Sequence, residues 1–138
     1  MPVVLRCHSG IGPVVSGMAL VAADNFSARY DLDRGRGIFV RPSHRLAGQS
    51  YVDRILVLDG AKGGVATAWM LHEMKARGIV PRALIFNRVN PIIAQGAVFA
   101  GVALVDRFAG NVTALFRTGD ELRVDPAAGT VEILNRDT

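Results

Sequence analysis

Residues 54–78, RILVLDGAKGGVATAWMLHEMKARG, constrain the fold more than any other stretch. Ile55–Leu58 is an unbroken apolar run and reads as a strand buried on both faces. A glycine-rich turn, residues 59–64, follows it. Residues Val65–Arg77 then read as a helix closed by Gly78. A strand, a tight turn and a helix start together gather outward-pointing N–H groups at the positive end of a helix dipole. A carboxylate or a phosphate fits such a place. Lys62, one of only two lysines in the chain, lies inside the turn. Gly60, Gly63 and Gly64 would serve equally well for a sharp turn that holds no ligand. The turn is neither the G-x-x-x-x-G-K-[ST] phosphate loop nor the G-x-G-x-x-G dinucleotide fingerprint.

A second unit of the same kind follows. Pro81 opens the apolar strand Ala83–Phe86, which ends in the polar residues 87–91, NRVNP. Asn90 before Pro91 has the form of a helix cap with proline at the first helical position. A helix over 92–100, with Gly96 allowing close packing, leads to a strand over 102–105. The βαβαβ order predicts parallel strands with right-handed crossovers. Ligands of such sheets gather at the carboxyl ends of the strands, which brings Asn87, Arg88 and Asn90 beside the 59–64 turn. Asp59 is a possible base at one strand end. The helix over 65–77 is apolar around much of its circumference, so its first turns are expected to be buried on more than one side. Two readings of Thr67 stand: its hydroxyl lines the anion pocket, or it bonds the preceding carbonyl and does nothing else.

The flanks are less regular. Residues 13–22 read as one or two strands interrupted at Gly17. Residues 24–37 are polar and turn-rich, 38–40 a short strand, and 41–50 a loop. His44 lies in that loop between Arg41 and Arg45, either as a donor to an anion or as a surface histidine. Residues 113–116, 121–124 and 130–134 read as short strands of a β-meander with a packing role at the surface. Nothing marks an internal boundary, so a single domain over 1–138 is expected.

Composition removes several function classes. The formal charge is +4, but the arginines are scattered among acids and form no basic cluster, so no nucleic-acid partner is expected. No apolar run approaches the roughly 20 residues of a membrane helix, and no secretory signal is visible, so no membrane partner and a cytoplasmic location are expected. Cys7 is the single cysteine, which excludes an internal disulfide. Metal ligands come in threes and fours, and no such Cys, His and carboxylate grouping is evident. No G-x-S-x-G and no arguable Ser-His-Asp set is present. An anion-binding turn without a catalytic pair, in a chain that is 50% hydrophobic, reads as half of an active site completed by another chain.

The segments HRLAGQSYVDRILVLDGAKGGVATAWMLHEMKARGIVPRALIF and NPIIAQGAVFAGVALVDRF, with the tail TGDELRVDPAAGTVEIL, resemble the swivel domain of the aconitase X family in its separately encoded small-subunit form. The resemblance implies an α/β fold: a swivelling β/β/α domain with a central parallel βαβαβ unit, additional strands and a C-terminal hairpin. It implies a larger catalytic subunit that carries an iron or iron–sulfur centre, with no cofactor bound by this chain. The activity it implies is a hydro-lyase (dehydratase) reaction on a small anionic hydroxy acid such as cis-3-hydroxy-L-proline, or mevalonate 5-phosphate in archaea. By the same resemblance Lys62, Gly63 and Gly64 hold the substrate, Asn87 and Asn90 line the facing loop, and His44 is a further contact. The family's turn reads G-[KR]-G-S-S, and its two serine positions fall here on Gly64 and Val65. Thr67 is then the candidate catalytic hydroxyl. The alternative is a ligand-binding or regulatory swivel module that has lost the turn serine and its chemistry. The family's His-Pro in the preceding loop is His44-Arg45 here.

Overall fold

The apolar runs on either side of the glycine-rich turn form neighbouring parallel strands, and in this computed structural model they lie inside a seven-stranded sheet. The structure describes residues 3–27, 30–61, 65–89 and 91–136, without the side chains of residues 65–67 and 99. In chain order the elements are β1 (Val3–Arg6), β2 (Val15–Val21), β3 (Asn25–Phe26), β4 (Leu32–Asp33), β5 (Ile38–Phe39), β6 (Ile55–Leu58), β7 (Gly60–Ala61) and α1 (Val65–Arg77). Then come β8 (Ala83–Phe86), α2 (Pro91–Ala100), β9 (Ala103–Val105), α3 (Val112–Leu115), β10 (Glu121–Asp125) and β11 (Thr130–Asn135).

The sheet order is β1-β11-β10-β2-β6-β8-β9. Strands β2, β6, β8 and β9 are parallel, with Leu56 opposite both Leu20 and Leu84. Strands β1, β11, β10 and β2 are joined antiparallel. Side chains alternate across a strand, so the parallel strands feed two cores. Leu20, Leu56, Leu58, Leu84, Phe86 and Leu104 pack with Leu71, Met74, Ala97 and Ala100 of the two long helices. Ile55, Val57, Ala83, Ile85 and Val105 pack with Leu122, Val124, Val131 and Ile133 of the antiparallel strands. The result is three layers: helices, parallel strands, antiparallel strands. Burial on both faces is why Ile55–Leu58 and Ala83–Phe86 are continuous apolar runs.

Several expectations are corrected. Residues 113–116 are not a strand: Val112–Leu115 form one helical turn, because the Asn111 side chain accepts the Thr113 N–H and caps it. The C-terminal hairpin is a full layer of the core, not a surface addition. Gly17 does not interrupt β2; a Cβ there would meet the Asp53 carbonyl and Ile55 at 3.4 Å, so the glycine allows close approach within a continuous strand. Trp69 on α1 is 68% exposed, against the expectation that the first turns of this helix are buried on more than one side. Strand β1 was not anticipated. Beyond it, Ile11 pairs with Leu104 through reciprocal N–H to carbonyl bonds of 2.9 and 2.8 Å, which covers the outer edge of β9. Gly10 makes this possible, since a Cβ there would lie 2.0 Å from the Leu104 carbonyl oxygen.

Candidate functional site

The carboxyl ends of β2, β6, β8 and β9 form one rim, and each contributes polar residues to it. Asp24 follows β2, Asp59 follows β6, Asn87 and Arg88 follow β8, and Asp106 and Arg107 follow β9. Backbone bonds tie these ends together. The Asp59 N–H donates to the Asp24 carbonyl (2.9 Å), the Asn87 N–H to the Asp59 carbonyl (3.1 Å), and the Arg107 N–H to the Asn87 carbonyl (2.9 Å).

Asn87, expected to line the loop facing the turn, sits at the centre of this rim. Its Nδ2 donates to Asn111 Oδ1 (3.2 Å) and, at a long 3.4 Å, to Asp59 Oδ1, while its Oδ1 accepts the Val112 N–H (2.9 Å). Asn87 therefore joins β6, β8 and α3, and it orients the Asp59 carboxylate. Asp106 accepts the Val89 N–H at 2.9 Å and lies 3.7 Å from the Arg107 guanidinium. Arg107 is one of two non-glycine residues with a left-handed backbone among those described, at φ 61°.

The turn after β6 is less abrupt than expected. Gly60 and Ala61 stay extended and pair in parallel with Asn25 and Phe26. A Cβ on Gly60 would stand 3.8 Å from both the Arg88 carbonyl and Asn25 Oδ1, so loops from two other elements close around this glycine. Lys62, Gly63, Gly64 and Asn90 lie outside the described residues. Thr67 falls in the first part of α1, and its side chain lies outside them too.

His44 is neither a surface residue nor a free donor. It is 3% exposed and stacks on Phe39 with ring centroids 4.6 Å apart. Nδ1 accepts the Leu46 N–H (3.0 Å), which puts the ring proton on Nε2, and Nε2 donates to the Asn25 carbonyl (2.8 Å). Its nearest carboxylates are Asp24 and Asp31, 3.9 and 3.8 Å away, and Arg41 bonds both of them. Asp31, 3% exposed, accepts from Arg41 Nε and from the Ser27 N–H. Asp24 accepts the N–H groups of Asn25 and Arg45 and one bond from Arg41. Burial pushes the Asp24 carboxyl up, but these two N–H groups, with His44 and Arg41, outweigh it and hold the carboxyl below its ordinary value. This Asp24–Asp31–Arg41–His44 cluster was missed from the sequence. The available signal was Asp24 itself, which directly follows a strand at the same end as the turn.

A three-layered α/β domain of the swivelling β/β/α type, with a polar rim where its parallel strands end, is the class that this fold and site define. The family model for the aconitase X swivel domain matches residues 4–133, and the chain belongs to that family. It is 30% identical over 129 residues to the phosphomevalonate dehydratase small subunit of Methanocella arvoryzae, covering 94% of this chain and 98% of that one. It is 31% identical over 128 residues to the protein of the same name from Methanothermobacter thermautotrophicus, covering 93% and 94%. The crystal structure of Thermococcus kodakaraensis aconitase X in its holo-form superposes with a TM-score of 0.88 at 27% identity, over 96% of this chain and 98% of that chain.

Proposed function

We propose that this protein is the small subunit of an aconitase X-type hydro-lyase and is inactive without a larger partner chain. The observation that carries this reading is the end-to-end match to phosphomevalonate dehydratase small subunits, 98% of the relative in one case. The match runs over 94% of this chain as well.

The relatives' names favour mevalonate 5-phosphate as substrate over cis-3-hydroxy-L-proline. A phosphate suits a glycine-rich turn at the start of a thirteen-residue helix, with Lys62 adding positive charge. Lys62, Gly63 and Gly64 would hold the anion, Asn87 and Asn90 would line the facing loop, and Thr67 would offer the hydroxyl that Gly64 and Val65 lack. Among the described residues no three His, Cys, Asp or Glu side chains are grouped to hold a metal ion, so no step is assigned to a metal on this chain. An iron or iron–sulfur centre on the partner would supply Lewis-acid help to the departing hydroxyl. Among the described residues no helix is long and apolar enough to cross a membrane.

The test is co-expression with the larger subunit, anaerobic loading with iron, and incubation with mevalonate 5-phosphate or cis-3-hydroxy-L-proline. Formation of the unsaturated acid is followed by proton NMR. The pair should dehydrate mevalonate 5-phosphate, each chain alone should not, and Lys62→Ala should raise KM by about tenfold or more. A loaded pair that binds mevalonate 5-phosphate without converting it would mark a non-catalytic module. Conversion of the hydroxyproline alone would overturn the substrate.

A further inference from the structure

His44 is an enclosed polar side chain beside the rim, and both of its ring hydrogen bonds are to backbone groups. Its Nε2–H bonds the carbonyl of Asn25. Asn25 and Phe26 are the partners that keep Gly60 and Ala61 extended on the way to residues 62–64. The preceding residue, Asp24, accepts the Asp59 N–H through its own carbonyl, while its carboxylate takes the N–H groups of Asn25 and Arg45. Arg41 joins Asp24 to Asp31, and Phe39 stacks on the imidazole. Both ring nitrogens are hydrogen-bonded, and the Nε2 bond ends on the segment that pairs with Gly60 and Ala61.

We infer that His44 is a positioning residue for the segment leading into the anion-holding turn: by holding the Asn25 carbonyl it sets Asn25–Phe26, and through them the placement of Gly60–Ala61. It touches no substrate. The inference rests on the reading of that turn as the anion site.

The two ring nitrogens have different jobs, so two isosteric variants separate them. Asparagine places a polar atom near the position of Nδ1 and keeps an acceptor for Leu46. Glutamine reaches the position of Nε2 and keeps a donor for Asn25. In the loaded two-subunit enzyme, His44→Asn is expected to raise KM for mevalonate 5-phosphate about tenfold with a smaller change in kcat. His44→Gln is expected to restore most of that loss, even where its melting temperature is no higher than that of the asparagine variant. In parallel, the isolated full chain is titrated with inorganic phosphate while the Gly60 and Ala61 amide resonances are followed. His44→Asn should shift both resonances and weaken their response to phosphate, and His44→Gln should leave them near wild type. Equal KM values for wild type and a folded His44→Asn protein overturn the inference. So does a loss in both variants that tracks melting temperature alone. If the wild-type pair dehydrates nothing but the Gly60 and Ala61 response still depends on His44 in this pattern, the positioning role stands and the dehydratase reading falls.

Discussion

Asp120 shows what one buried carboxylate does here. It is 1% exposed and accepts two bonds from the Arg136 guanidinium (2.9 and 2.8 Å) and one from the Arg117 N–H. Burial would raise this carboxyl, but the Arg136 and Arg117 bonds outweigh burial and hold it below its ordinary 3.8. A folded-state value below the unfolded one means that ionisation favours folding. The contribution is therefore complete above 3.8 and is lost as the pH falls through the lower folded value. Asp24 is held low as well and adds in the same direction. Asp120→Ala should cost about 2 kcal/mol at neutral pH by urea unfolding, since it strands the donors around it. Asp120→Asn should flatten the acid limb of the stability curve, and an unchanged limb would disprove the assignment. At this scale the sequence is least transparent. Arg41 and Arg45 stand beside His44 along the chain, yet its surroundings are set by Asp24 and Asp31, which arrive from residues twenty and thirteen positions away.

Elements with their own punctuation were readable. Ile55–Leu58, Val65–Arg77 and Ala83–Phe86 have the expected bounds, because an apolar run between turn residues has few alternatives. Short elements were not. Residues 113–116 carry threonine and phenylalanine and resemble a strand, but a single capping side chain decides for a helical turn. Asn111→Ala should cost about 1 kcal/mol in thermal unfolding, the usual worth of such a cap. The helix layer depends on Gly96, where a Cβ would lie 2.7 Å from both Cα and Cβ of Ala68 on α1. Gly96→Val should destabilise by about 1–3 kcal/mol, because two backbones would have to separate. A variant as stable as wild type would show that the helices meet elsewhere.

For the whole molecule, the βαβαβ half could be read in order, since each strand pairs with its near neighbour in sequence. The location of the rim followed from that order and holds for Asp59 and Asn87. Lys62, Gly63, Gly64 and Asn90, with the side chain of Thr67, lie outside the described residues, so their roles rest on the family and on the experiments above. What the sequence hid was the closing of the sheet. Strand β1 has only four residues, and its partner β11 begins more than a hundred residues later. No local pattern carries such a pairing.

That pairing bears on how the protein comes to be folded at all. Val3 meets Ile133 and Arg6 meets Thr130, so the first strand of the sheet and the last are neighbours. Contacts that span nearly the full chain are the slowest to close, and refolding from urea should fall in the range of about milliseconds to seconds instead of microseconds. During synthesis the consequence is sharper. The Val3–Arg6 strand is made more than a hundred residues before its partner β11 and waits while the residues between them are made. Until then the β1 backbone has no β11 edge to pair with, and an unpaired strand carrying Val3, Val4 and Leu5 is open to pairing with another chain.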